Sequence, residues 1–352
     1  MRASTSDELS LNQKFLGANR DYAVSLVHCV CCLAGNLEFL DRHRSAGNKS
    51  LAAAIERHDT APLFDWLVEA LSYQGIADRI AHDYMKRHGK ARWASINASL
   101  SRNPSCPKLN SYWHFDNCGY RKGAATCSEP QQLPACPLPA LPLRNGNLNQ
   151  MAHSLFLFIR DVADGDLVAW IDARLEVADS PFAPDRLEAM RTALLEPLRC
   201  IYGVSDKVLS MALAELLLGA GQHRPRWLEV GTQMIAVDRL VHNFLHRTGI
   251  LRRLEAEHLY GPACYALQHC VGIVGRIAAE IDARRFNPRF PKVFPRFVQH
   301  AIWRYCAGFG LDICNGNNID DRKPCANSIC RLYSSCDRVT LREKAINTSV
   351  NT

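Results

Sequence analysis

The chain has 352 residues, 47% of them hydrophobic and 22% charged, with 20 Gly and 17 Pro, the balance of a globular chain able to bury a core. At roughly 100 to 200 residues per domain the length suggests two domains, and the lack of an apolar run of about 18 residues argues against an integral membrane protein. Fifteen cysteines accompany 42 basic and 35 acidic residues, a formal charge of +7. The polar start, Met1 to Glu8, has no apolar stretch and does not read as a secretory signal, so a cytoplasmic, nucleoid-associated or nuclear location is expected. Reducing compartments keep thiols free, which makes metal or cluster binding a better use of the cysteines than a disulfide framework.

In chain order, residues 1–20 are polar, and Asp21 to Leu40 carries apolar side chains at helical spacing. Cys29, Cys31 and Cys32 fall on this helix and read as small buried hydrophobes. Leu63 to His88 forms a second helical stretch, with Leu63, Phe64, Leu67, Val68 and Leu71 on one face and Gly89 after its end. Ser101 to Gln150 is rich in Pro, Asn, Ser and Gly and reads as a loop-rich insertion. Its Cys106, Cys118, Cys127 and Cys136, with His114 nearby, are candidates for a second metal site, although the set has no close C-x2-C pair. Helical periodicity returns at 151–161, 167–177, 187–200 and 207–218, with Asp164-Gly165-Asp166 as a turn. No alternating strand pattern occurs, so the expected fold class is all-α.

The joint Ile201-Tyr202-Gly203-Val204-Ser205-Asp206-Lys207 links two apolar helices, and a Gly-containing joint can aim the next helix's N–H groups at a phosphate. Further on, Arg284 to Phe297 interleaves Arg and Lys with Phe, and no acidic residue lies between Ala283 and Gly310. Such a stretch reads either as a nucleic-acid contact, with Arg289 and Arg296 on phosphates, or as a basic loop whose Phe side chains anchor in the core. Near the end, Cys314, Cys325, Cys330 and Cys336 follow C-x10-C-x4-C-x5-C. Four thiols in so short a stretch suit one ion or cluster, zinc or iron–sulfur.

Taken together, these segments resemble the endonuclease III branch of the helix-hairpin-helix DNA glycosylases, in the same order from Leu63 to Cys336. Leu71-Ser72-Tyr73-Gln74-Gly75-Ile76-Ala77-Asp78 is similar to the family's L-S-x-Q-x-x-D-type segment, whose Gln fills the gap left by an extruded base. Tyr202 to Lys207 is similar to the hairpin L-P-G-V-G-R-K, whose Lys is the nucleophile of bifunctional members. Ile235-Ala236-Val237-Asp238, followed by His246-Arg247-Thr248, resembles the stretch that supplies the catalytic Asp. Arg322-Lys323-Pro324-Cys325 and the other three cysteines resemble the loop that ligates a [4Fe–4S] cluster through C-x6-C-x2-C-x5-C.

The resemblance implies a helix-hairpin-helix fold and a DNA glycosylase, with AP lyase activity, acting as a monomer on double-stranded DNA. Lys207 and Asp238 would be catalytic, and Gln74, Gly203 and Ser205 would meet DNA. Cys314, Cys325, Cys330 and Cys336 would hold the cluster, with zinc as the alternative. A non-catalytic DNA-binding module or a monofunctional glycosylase are the other outcomes. Ser205 replaces the second hairpin Gly, Asp206 the following Arg and Leu240 the family's His, and only the last cysteine interval agrees. The expected organisation is an N-terminal segment 1–60 packing on the cluster domain, a helical barrel domain 61–238 with the insertion 101–150, a cluster domain 239–340 and a tail 341–352.

Overall fold

The computed structural model describes residues 13–43, 49–73, 78–101, 106–116, 118–144, 146–220, 223–315 and 319–341. Among these residues the chain is all-α: there is no strand, and extended backbone pairs only in an isolated bridge between Arg121 and Thr126. Helix α1, Gly17–Ala34, buries Ala23, Leu26, Val27, Val30, Cys31 and Ala34 along one stripe. It stops at Gly35, where a Cβ would collide with the Cys31 carbonyl. The helix expected up to Leu40 is therefore shorter, and α2, Phe39–His43, is separate. Of the three cysteines expected to be buried here, Cys31 is, Cys29 is half-buried and Cys32 is exposed.

The chain divides into two compact units, Leu40–Met234 and a second built from Met1–Phe39 with Ile235–Thr352. The N-terminal helix thus shares a unit with the C-terminal segment, but residues 40–60 go with the central unit and not with the cluster domain. Their helix α3, Lys49–Glu56, packs against α4, Thr60–Leu71, through Leu51, Ala54 and Ile55. The other boundary falls before Ile235, because Ile235, Ala236 and Val237 are buried with the segment that follows.

In the central unit, the stretch expected as one helix over 63–88 is two, α4 and α5, Asp78–His88. Helix α4 ends at Ser72, whose hydroxyl donates to the Val68 carbonyl at 2.6 Å. Gln74 lies outside the described residues. After α6, Trp93–Leu100, the described residues of the insertion form five short 3-10 turns, and its last residues, from Gly146, already belong to the next helix. Then come α7, Gly146–Asp161, α8, Leu167–Ala178, α9, Arg186–Leu198, α10, Asp206–Gly219, and α11, Pro225–Thr232. Helix α10 buries Leu209, Ala212, Leu213, Leu216 and Leu217 on successive faces, as a helix apolar nearly all round must. The rings of Phe64, Trp93 and Phe156 pack together at centroid distances of 4.2 to 6.1 Å.

The terminal unit packs α1 against α14, Cys270–Glu280, and α15, Pro295–Cys306, with α12, Arg239–Arg247, and α13, Ile250–Arg253, beside them. Phe290, Phe294 and Phe297 are buried, so the Phe side chains of the basic stretch are core anchors. Among the described residues no helix is long and apolar enough to cross a membrane.

Candidate functional site

The hairpin lies between α9 and α10. Helix α9 runs to Leu198 with Pro197 inside its last turn, the Arg199 N–H still bonding the Leu195 carbonyl at 2.9 Å, and Gly203 turns the chain with φ of +69°. A β-carbon disfavours that left-handed conformation by about 1 kcal/mol, although one placed here would meet Asn147 only in ordinary contact at 3.4 Å. The Tyr202 N–H is held by Ser154 Oγ at 3.1 Å. Ser205 occupies the N-cap of α10 without a side-chain cap bond, and it and Gly203 are exposed. Asp206 is ion-paired with Arg199. Its charge is thereby offset within the hairpin. Lys207 follows in the first turn of α10, half-buried.

Asp238 belongs to the terminal unit and caps α12: its Oδ1 accepts the Val241 N–H at 2.9 Å. The backbone just before it is gripped on both sides by Tyr265, whose hydroxyl accepts from the Val237 N–H at 2.9 Å and donates to the Val237 carbonyl at 3.1 Å. Arg239 lies over the Tyr260 ring, 5.6 Å from its centre. Burial, followed by the charge of Asp238, raises the Tyr260 pKa. Lys207 and Asp238 therefore sit in different units of the chain.

Cys314, Cys325, Cys330 and Cys336 line one pocket of the terminal unit, together with Phe244, Ile313, Ile319 and Leu332. The Cys336 thiol is pushed up to about 11 by burial first and then by the other three thiols, against the Arg338 N–H, which lies 3.4 Å from its sulfur. Thiols are the kind of donor a cluster or metal takes, since a cation relieves the mutual disfavour of neighbouring thiolates, but no three of these four bring their sulfurs close enough together for a single ion. Tyr305 Oη stands 3.1 Å from Cys330 Sγ. Arg247, buried at the end of α12, pairs with Asp321 at 2.7 Å, while its carbonyl accepts from the Val339 N–H at 2.8 Å and faces Cys336 Sγ at 3.7 Å.

The insertion thiols influence one another, but no three of them are close enough together to hold an ion. Burial pushes Cys136 up to about 11, with Cys118, Cys106 and Cys127 adding to the rise, and Cys118 is raised by burial and by Cys127 and Cys106. The Glu129 N–H meets Cys127 Sγ at 3.4 Å, and the backbones of Tyr120 and Leu138 do the same for Cys118 and Cys136. Backbone N–H groups aimed two residues back at sulfur stabilise a thiolate.

A third group was not foreseen. His242 of α12, His258, Cys264 and Cys270 bring their ligand atoms within 4.8 Å of one another and can hold a metal ion. His242 Nδ1 lies 3.4 Å from Cys270 Sγ and 3.5 Å from Cys264 Sγ, and His258 Nε2 lies 3.4 Å from Cys270 Sγ. Hydrogen bonding between the two thiols lowers the pKa of Cys264 and raises that of Cys270. The four come from a helix, an irregular loop and the start of the next helix, spaced H-x15-H-x5-C-x5-C. The available signal was the density of His and Cys between 258 and 270.

Of the two arginines expected on DNA phosphates, Arg289 is exposed. Arg296 is not available for that role: it is 7% exposed and bonds Gln299 within α15. The first turn of α15 is buried all round, Pro295, Phe297, Val298 and Gln299 with Arg296, which explains the difference. No family model, curated protein or solved structure matches the chain.

Proposed function

We propose that the chain is a DNA glycosylase of the helix-hairpin-helix type with lyase activity, acting on duplex DNA as a monomer through Lys207 and Asp238. The observation that carries this reading is the hairpin: a left-handed Gly203 turn, an α10 start with no side-chain cap, and a half-buried Lys207 in the first turn, with Asp206 paired to Arg199.

Base removal from a duplex begins with rotation of the nucleotide out of the stack, at a cost of roughly a few kcal/mol, with Gln74 the plug in the space left behind. The neutral amine of Lys207 attacks C1′ as the glycosidic bond breaks, and the base departs with the bonding electrons and takes up a proton. The sugar ring opens to a Schiff base, from which loss of a C2′ proton expels the 3′ phosphate. The Asp238 carboxylate stabilises positive charge developing on the sugar. Cys314, Cys325, Cys330 and Cys336 are the residues that would hold a [4Fe–4S] cluster, which would cross-link the irregular segment 314–336 to itself.

Borohydride trapping on duplexes bearing an abasic site or one of several damaged bases tests the reading. Wild type should form a covalent adduct and Lys207→Ala none, with DNA binding retained; an adduct that survives Lys207→Ala removes the lysine from the mechanism. The cap role of Asp238 favours a second reading, a DNA-binding module without catalysis. Tight binding with no adduct and no alkali-labile site would establish it.

A further inference from the structure

We infer that His242, His258, Cys264 and Cys270 form a tetrahedral zinc site, separate from both cysteine tetrads, that fixes the backbone carrying Asp238. The inference holds whether or not Asp238 acts on a sugar.

Zinc bonded to nitrogen at about 2.0–2.1 Å and to sulfur at about 2.3 Å, with tetrahedral angles, separates N and S ligand atoms by about 3.6 Å. Three of the four N–S separations are 3.4, 3.5 and 3.4 Å. Hydrogen bonding alone is a poor account of them. His242 Nδ1 has one directed position, a proton or a lone pair, yet it faces two sulfurs at nearly equal distance. A common centre between the four atoms satisfies all of them with one lone pair each.

The outer contacts are those of a metal site. His258 bonds the Ala256 carbonyl through Nδ1 at 2.7 Å, which fixes the tautomer with the proton on Nδ1 and turns the Nε2 lone pair toward the sulfurs. His269 stacks on His258 at 4.1 Å between ring centres and is itself held to the Ala263 carbonyl at 2.8 Å. Cys270 opens α14, where the helix dipole favours a thiolate. His242, Cys264 and Cys270 are buried, so the ion would be closed to solvent on most sides, as structural zinc sites with four protein ligands are.

The regular structure of segment 254–269 is one short 3-10 helix, Pro262–Tyr265, and the zinc would clamp the segment to α12 and α14. Cys264 adjoins Tyr265, whose hydroxyl bonds both backbone groups of Val237, and His242 lies one turn from Asp238. One ion thus holds the N-cap of α12 from two directions.

The test is zinc and iron content of the full-length protein by elemental analysis, with zinc-edge X-ray absorption. In a Cys118→Ser/Cys136→Ser background, which removes two of the four insertion thiols and so disables that set, the chain should retain one zinc with equal numbers of N and S neighbours. Cys264→Ser in that background should lose that equivalent with iron unchanged. His258→Cys, which keeps four ligands, should retain the zinc with one more sulfur neighbour, and this variant decides the matter should Cys264→Ser be insoluble. A background protein without zinc, an all-sulfur shell, an unaltered shell in His258→Cys, or a Cys264–Cys270 disulfide found by mass would each overturn the assignment.

Discussion

Helix α10 of the central unit is enclosed by its own leucines and those of its neighbours, every turn contributing buried apolar surface. The segment 254–269 of the terminal unit has one short 3-10 helix and is tied down by a few polar side chains, His258, Cys264 and Tyr265 among them. Each arrangement leaves a different mark. Apolar burial spreads stability over many contacts worth about 1.5–3 kcal/mol per large side chain, so single losses are graded. Anchoring through a few ligands concentrates it, so a single loss releases a whole segment.

The sharpest test of graded loss is Leu213→Ala, which should cost about 2–5 kcal/mol and leave the metal content of the terminal unit unchanged. Urea unfolding and elemental analysis check both halves, and a change in zinc would break the contrast. Next in size is a proton effect at His153 of α7, which is 1% exposed. Burial disfavours its imidazolium and lowers its pKa from 6.5 to about 4, partly countered by the Asn149 carbonyl. The unfolded chain therefore binds a proton there before the folded one does. Stability is full above about pH 6.5 and falls toward pH 4, by up to about 3 kcal/mol. His153→Leu should flatten that part of the urea-unfolding profile between pH 7 and pH 4, and an unaltered slope would assign the loss to other groups. Smallest is the cap at Asp238: Asp238→Ala should cost about 1 kcal/mol and Asp238→Asn almost nothing, since an amide oxygen also caps. Thermal unfolding measures it, and a cost several-fold larger for alanine would mean that the carboxylate does more than cap. Because asparagine preserves the cap, a slowed base release in Asp238→Asn would report the charge alone.

The helices of the central unit were legible because apolar spacing states which face is buried: 167–177 was expected where Leu167–Ala178 forms, and 207–218 where Asp206–Gly219 forms. Arg296 was not legible. Its charge suggested solvent, but the register of α15 is set by the Phe side chains around it, and the aliphatic stem of arginine allows burial. The two sets of four cysteines stood out in the sequence as candidates because their members are close in the chain. The His242 group could not, since 15 residues separate its first two members and only packing of α12 against α14 and the 254–269 segment unites them. The Arg199–Asp206 pair was hidden for a similar reason: opposite charges seven residues apart meet only once the hairpin has turned.

Helix α12 is nine residues long, Arg239–Arg247, and serves three clients: Asp238 at its start, His242 in its middle and Arg247, beside Cys336, at its end. Adding or deleting one residue would rotate everything beyond it by about 100°, so no indel within it could keep all three in register. A change of length in this region of the chain that spared all three would have to fall in the segments on either side, and α12 is the fixed ruler from which it is measured.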